Sequence, residues 1–280
     1  MNKMIGQKPS IQTILPKVLL VILAIMFVLP LYIAFINAFK TNDAIVDSPL
    51  MPPIESTLDN INYVLTNPNV NIWQMYANSA IITGCGTVVC LLISAMAAYY
   101  LARSNKKKSS GRLYLFFLLG LMVPYVIVYV PLTSLMNIVG IKGNLLVLIL
   151  VFISGSISFS VFMFYGFIKS IPIELEESAA IDGAGPFRTF WTIVFPLLKP
   201  CTTTVAIFIG LSMWNDFMTP LLIGQVQTIT VGIYTAIGPY SADWGTVFSF
   251  VLFGSVPIIV AYLLAQKQFI SGLTAGAIKG

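Results

Sequence analysis

The stretch Glu177-Ser178-Ala179-Ala180-Ile181-Asp182-Gly183-Ala184-Gly185-Pro186, closing at Ile193-Val194-Phe195-Pro196, decides how the rest of the chain is read. It is a polar island between long apolar runs. Pro172 suits a first helical position, where its missing N–H costs nothing, and Glu174, Glu176 and Glu177 put negative charge at the positive end of the helix macrodipole. The spacing predicts a short helix from about Pro172, stopped at Gly183-Ala184-Gly185, with Pro186 restarting the chain at a fixed φ. A second amphipathic helix should then carry Phe187, Phe190, Trp191 and Val194 as far as Pro196. A chain this apolar that keeps such a helix-turn-helix has something in the aqueous phase to hold.

Outward from the island, the composition is that of a membrane protein. Hydrophobic residues make up 58% and charged residues 9%, with a mean hydropathy of +0.91, whereas charged residues alone are about a quarter of a soluble domain. At ~20 apolar residues per helical span, the 280 residues hold about six spans and their connections, with no room for a separate soluble domain. Candidate spans fall at about 17–39, 76–101, 113–136, 144–168, 201–223 and 246–266, so residues 1–280 are expected to form a single all-α transmembrane domain with an aqueous loop at about 169–200. Pro30, Pro124, Pro131 and Pro257 lie inside these stretches and are expected to kink helices rather than end them. The run from Val18 to Phe39 exceeds the apolar core of a secretory signal and reads as an uncleaved first span.

The net charge of +5 takes its meaning from position and does not point to nucleic acid. Arg103, Lys106, Lys107, Lys108 and Arg112 cluster between the second and third spans, while the 224–245 segment has no basic residue and one acid, Asp243. Placing both termini, the basic cluster and the 169–200 loop in the cytoplasm leaves only Lys40 and Lys142 outside, as the positive-inside rule requires. The 40–75 segment then reads as a structured external loop, and Pro239, Tyr240 and Trp244 make the 224–245 segment a candidate external contact surface. The absence of histidine excludes imidazole catalysis and most zinc sites. Cys85, Cys90 and Cys201 lie in or beside apolar stretches without metal-ligand spacing, so no catalytic or metal site is expected.

The island resembles the cytoplasmic signature loop of binding-protein-dependent ABC importer permeases, in which Glu-Ala-Ala is followed after three residues by Gly and after nine more by Ile-x-Leu-Pro; here Ser178 stands for the first Ala and Phe195 for the Leu. Trp214-Asn215-Asp216-Phe217 with Pro220-Leu221-Leu222 resembles the fifth-span pattern of the carbohydrate-transporting members. Pro30-Leu31-Tyr32 with Phe39-Lys40-Thr41 resembles the end of their first span, and the stretch from Gly272 to Gly280 resembles the tail of the smaller maltose-type permease. The resemblance implies the type I ABC importer permease fold and a bacterial inner-membrane location. It also implies a second homologous permease, two ATPase subunits and an external sugar-binding protein as partners. Glu176, Glu177, Ala179, Ala180, Asp182, Gly183, Pro186 and Arg188 would then meet the ATPase, and Thr274, Ala275, Gly276 and Lys279 would run in among the ATPase subunits. No P-loop occurs in the chain, so it is not expected to be an enzyme, and ATP and Mg would belong to the partner.

Asp216 is the only acid inside a predicted span. A carboxylate at the middle of a membrane helix costs roughly 2.5–3.5 kcal/mol, so it should face a wet path or a partner, unless it already lies at the wet outer end. Trp214 and Asn215 beside it offer an apolar plate and an amide suited to a sugar ring, and with Tyr165 they are the candidate translocation path. Ser154, Ser156, Ser158 and Ser160 give the fourth span a polar stripe that suits helix packing first and pathway lining second. A gradient-driven secondary transporter is the alternative reading; it needs coupling-ion sites, and Asp216 is its one candidate.

Overall fold

Long apolar runs can satisfy their backbone in lipid only by closing it into helices. The computed structural model describes residues 11–104, 107–238 and 242–277, and every regular element among them is helical. The residues group into two compact units, Met1–Val70 with Thr235–Phe253 and Asn71–Tyr234 with Gly254–Gly280.

In the first unit, α1 (Ile11–Asn37) runs through Pro16 and Pro30 without a break. From Leu15 its side chains stay exposed almost to its end, as Leu19, Ile25 and Phe27 illustrate, the mark of a helix that meets lipid or another subunit. The segment after it is tightly tied. Asn37 Nδ2 donates to the carbonyls of Ile33 and Pro49, both at 2.9 Å, and Thr41 caps α2 (Asn42–Asp47). Asn60, in α3 (Asp59–Thr66), donates to the carbonyls of Ala38 and Lys40. Lys40 is only 1% exposed, its Nζ gives a 2.7 Å hydrogen bond to the Ser48 carbonyl, and burial pushes its pKa down. Asp243 gathers Asn42 Nδ2 and the Thr246 hydroxyl at the start of α13 (Trp244–Ala277).

The second unit is built on α4 (Ile72–Arg103) and α7 (Leu145–Ser170). Gly86, Cys90, Ser94, Ala98 and Ala102 recur every four residues among the buried positions of α4 and form a ridge of narrow side chains that lets a second helix approach closely. Cys90 meets Ser160 of α7 and Arg103 meets Ile171, just past its end, so the two helices run parallel. Helix α11 (Lys199–Asn215) packs on both, with Met213 against Gly86. A Cβ at Gly86 would come within 2.8 Å of the Met213 sulfur.

Two predicted spans are not continuous. The third divides at Val123-Pro124 into α5 (Lys107–Met122) and α6 (Tyr125–Val139), inclined at 95°. Pro124 has no N–H to continue the ladder and disfavours helical backbone at the residue before it, so here proline ends a helix, while Pro131 is absorbed within α6. The fifth stops at Asn215: Asp216 is extended (ψ 124°), and the chain resumes as a π-helical turn over Thr219–Gly224. Among the described residues four helices are each long and apolar enough to cross a membrane, or up to six if each bent pair makes one span.

The serines of α7 also depart from expectation. Residues two apart on a helix point about 200° from each other, so Ser154 is exposed, Ser160 is fully buried, and no single stripe forms. Ser154 and Ser160 return their hydroxyls to the carbonyls of Val151 and Ser156, and a Cβ at Gly120 of α5 would collide with the Ser158 side chain. Ser158 and Ser160 thus pack against neighbouring helices, Ser158 at Gly120 and Ser160 at Cys90.

Candidate functional site

The signature stretch folds as a helical hairpin. Helix α8 (Glu174–Ile181) starts with three acids in its first turn, as the sequence predicts. It closes where Gly183 takes φ +80°: its N–H bonds the Ala180 carbonyl, and the Ala184 N–H reaches back to Ala179 at 2.9 Å. This is the left-handed termination that glycine allows without steric cost. Pro186 then opens α9 (Pro186–Thr189), which widens into a π turn over Phe190–Val194 and ends in α10 (Phe195–Leu197). Pro196 has no N–H to give the carbonyl four residues back and its ring crowds that carbonyl, which accounts for the wider turn just before it.

The hairpin has an anchored face and a free one. Phe190, Val194 and Leu198 are at most 3% exposed and belong to the core that α4, α7 and α11 build. Trp191 sits among Phe187, Phe190 and Phe195, the two nearer rings with centroids 4.9–5.0 Å away. Of the residues expected to meet an ATPase, Glu177, Ala180, Asp182, Gly183, Pro186 and Arg188 are exposed, whereas Ala179 is buried. Glu176 also turns inward. Its Oε1 accepts from Arg103 Nε at 2.7 Å and its Oε2 from the Tyr99 hydroxyl at 2.9 Å, with the two charged side chains 11% and 15% exposed. A second Arg103 nitrogen donates to the Ile171 carbonyl at 2.8 Å.

The free face contains two residues that sequence reasoning does not single out. Ile181 is 87% exposed and Phe187 68%, an apolar pair flanking the charged turn. The spacing of Phe187 groups it with the packing face, and nothing in the sequence separates an outward from an inward aromatic there. Beside it an open cleft of about 440 Å³ is lined by Met96, Tyr100, Phe187 and Phe190. The partner of Glu176 carries a detectable signal: every acid in the proposed cytoplasmic segments lies between Glu174 and Asp182, so an arginine closing α4 has few carboxylates to choose from.

The candidate path residues do not converge. Tyr165 stacks on Tyr114 of α5 with ring centroids 3.9 Å apart, and Lys169 Nζ lies 5.6 Å from the centre of the Tyr165 ring. Trp214 instead lies near Tyr76 at the other end of α4 and donates its ring N–H to the Gly254 carbonyl. At 1.5 Å per residue along α4, Tyr165 and Trp214 are separated by roughly 25–30 Å. Asn215 is exposed. The Asp216 carboxylate is occupied: Oδ1 accepts the Thr219 N–H at 3.0 Å and Oδ2 the Thr219 hydroxyl at 2.5 Å, capping the π turn, while the Asp216 carbonyl takes a hydrogen bond from Thr230.

The 224–245 segment is more built than a loop. It contains α12 (Ile229–Ile237), with Ile229 and Val231 buried, the Gln227 carbonyl bonded by Asn78 and the Ile229 N–H held by Ser79. Trp244 is 41% exposed, while Pro239 and Tyr240 lie outside the described residues. So do Lys279, the side chains of Thr274 and Ala275, and the surroundings of Gly276. Among the described residues no group of three or more His, Cys, Asp or Glu could hold a metal ion.

The "probable starch degradation products transport system permease protein AmyC" of Thermoanaerobacterium thermosulfurigenes is 32% identical over 98% of this chain and 99% of its own length. The "multiple sugar-binding transport system permease protein MsmG" of Streptococcus mutans is 34% identical over 94% and 95%. Among solved structures, a chain of a bacterial ABC transporter involved in the import of the acidic polysaccharide alginate superposes with a TM-score of 0.74 at 21% identity, covering 95% of this chain and 99% of that one. The fold is therefore that of a type I ABC importer permease. Residues 90–270, which hold the hairpin, α7, α11 and the second half of α4, match the family described as binding-protein-dependent transport system inner membrane component, and the chain belongs to that family.

Proposed function

We propose that the chain is one permease subunit of an ATP-driven importer of sugars or oligosaccharides. It would share the path with a second, homologous permease and work with two ATPase subunits and an external sugar-binding protein. The observation that carries the coupling role is the hairpin, whose Glu177, Asp182, Gly183 and Arg188 are presented outward while Phe190, Val194 and Leu198 root it among α4, α7 and α11. The sugar class is supported by the names of the curated relatives, which refer to starch degradation products and multiple sugars. The distribution of Lys and Arg supports a cytoplasmic hairpin and cytoplasmic termini.

In this reading, ATP-driven closure of the ATPase pair displaces the hairpin, and the helices rooted to it tilt between inward- and outward-facing states. ATP and Mg are bound by the ATPase, which does the hydrolysis. No observation favours the ion-gradient alternative, because the Asp216 carboxylate is engaged by Thr219. The test is co-purification: the ATPase encoded with this permease should be retained by the wild-type chain and lost when Glu177, Asp182 and Arg188 are replaced together by Ala. Full retention by the triple variant would remove the hairpin from the coupling interface.

A further inference from the structure

The hairpin can move the spans only as far as it is mechanically joined to them, and Glu176 shows where. Tyr99 and Arg103 are four residues apart on α4, so both point from one face of its last turns. Together they grip the lever on both sides of its turn: Tyr99 and Arg103 hold the two oxygens of Glu176 at the start of α8, Arg103 also holds the Ile171 carbonyl just before that helix, and the Tyr99 ring lies 5.2 Å from that of the buried Phe190 beyond the turn. The Arg103–Glu176 contact is the only ion pair among the described residues, and its side chains are largely withdrawn from water. An isolated exposed pair would yield under load. A sheltered, charge-assisted arrangement braced by a tyrosine hydroxyl and a backbone carbonyl holds a fixed geometry.

We propose that Tyr99 and Arg103 are positioning residues that transmit displacement of the coupling hairpin to α4, with Glu176 as their receiver rather than an ATPase contact. The inference rests on the reading that the hairpin docks an ATPase. The neighbouring acids of α8 then have separate roles. Glu177, exposed, meets the partner, and Glu176, one residue earlier and turned about 100° around the helix, meets α4. Because α4 is the helix against which α7 and α11 pack, a pull at its Arg103 end reaches the centre of the second unit.

The test uses the whole transporter, with both permeases, the ATPase and the binding protein, in vesicles. The variants are Tyr99→Phe, Arg103→Glu, Glu176→Arg and the Arg103→Glu/Glu176→Arg pair, and the readouts are ATPase co-purification and the ratio of sugar imported to ATP hydrolysed. Tyr99→Phe and both single charge changes should retain the ATPase but lower the ratio by ~2- to 30-fold, the span found for residues along a coupling path. The reversed pair should recover much of what Arg103→Glu loses, a coupling that two independent structural defects would not show. A wild-type ratio in Tyr99→Phe and Arg103→Glu overturns the proposal, as does a reversed pair no better than the worse single change. Should Arg103→Glu fail to assemble, Tyr99→Phe decides alone, since it removes one hydroxyl. Failure of the wild-type permease to retain any ATPase would instead count against the importer reading.

Discussion

Gly183 offers a test in which conformation and space can be separated. Its φ of +80° lies in the left-handed region, yet a Cβ built there meets nothing within 4 Å. A substitution therefore costs backbone strain and no internal collision. For ordinary L residues that strain is about 1–3 kcal/mol, highest for a β-branched side chain, which at 1.4 kcal/mol per tenfold leaves roughly 5- to 150-fold fewer hairpins with the turn closed. The Gly183 N–H to Ala180 and Ala184 N–H to Ala179 hydrogen bonds depend on that closure. Asparagine tolerates the left-handed region despite its size, so Gly183→Asn should be mild, Gly183→Ala intermediate and Gly183→Val severe. The assay is ATPase co-purification together with sugar uptake, with membrane insertion as the control, because the spans pack far from this turn. Wild-type retention and uptake in Gly183→Val would show that closure of this turn does not govern docking of the ATPase. An Asn variant as damaged as Val would show that the partner surface at Gly183 rejects any side chain, and that strain is not the cause.

Replacing Asp216 by Ala removes the cap on the π turn and should lower stability by about 0.5–2 kcal/mol, read as an earlier thermal melt; Asp216→Asn, which keeps an acceptor for the Thr219 N–H, should lose less, and an unchanged melt in Asp216→Ala would contradict the capping role. In a background without Cys85, Cys90 and Cys201, an impermeant thiol reagent should reach Asn69→Cys from outside and Ser109→Cys only after permeabilisation; the reverse pattern would overturn the cytoplasmic assignment of the hairpin. Asp243 has its pKa lowered overall: burial pushes it up, but hydrogen bonds from Thr246 and Asn42 outweigh that. With the folded pKa below the ordinary 3.8, its stabilisation is complete above that value and fades as pH falls through the folded one. Hydrogen exchange across residues 42–48 should accelerate in that acidic window, and Asp243→Asn should remove the dependence.

The elements legible in the sequence are those set by local chemistry. The acids of α8, the glycine stop and the proline restart each follow from backbone preference, and all three stand where the spacing puts them. What the sequence conceals is set by contacts between distant residues. Pro124 and Pro131 look alike in an apolar run, yet one ends a helix and the other is absorbed, because relief of the freed carbonyls depends on neighbours a single span does not reveal. Asp216 stands out as an acid at membrane depth, but a threonine three residues on makes it a cap. Residue type alone groups Tyr165 with Trp214, and the parallel course of α4 and α7 sets them at opposite ends. The inward turn of Glu176 is of the same kind, since only the meeting of α8 with the end of α4 distinguishes it from Glu177.

If an ATPase drives this permease through its hairpin, sugar import must require ATP and no ion gradient. Sugar uptake by vesicles holding the complete transporter, measured with all ion gradients collapsed by ionophores and with or without internal ATP, addresses it directly. Uptake should be undiminished by the ionophores and abolished when ATP is withheld or the ATPase is inactivated. Uptake that persists without ATP and stops when the gradients collapse would mean that an ion gradient, and not the ATPase, drives this permease.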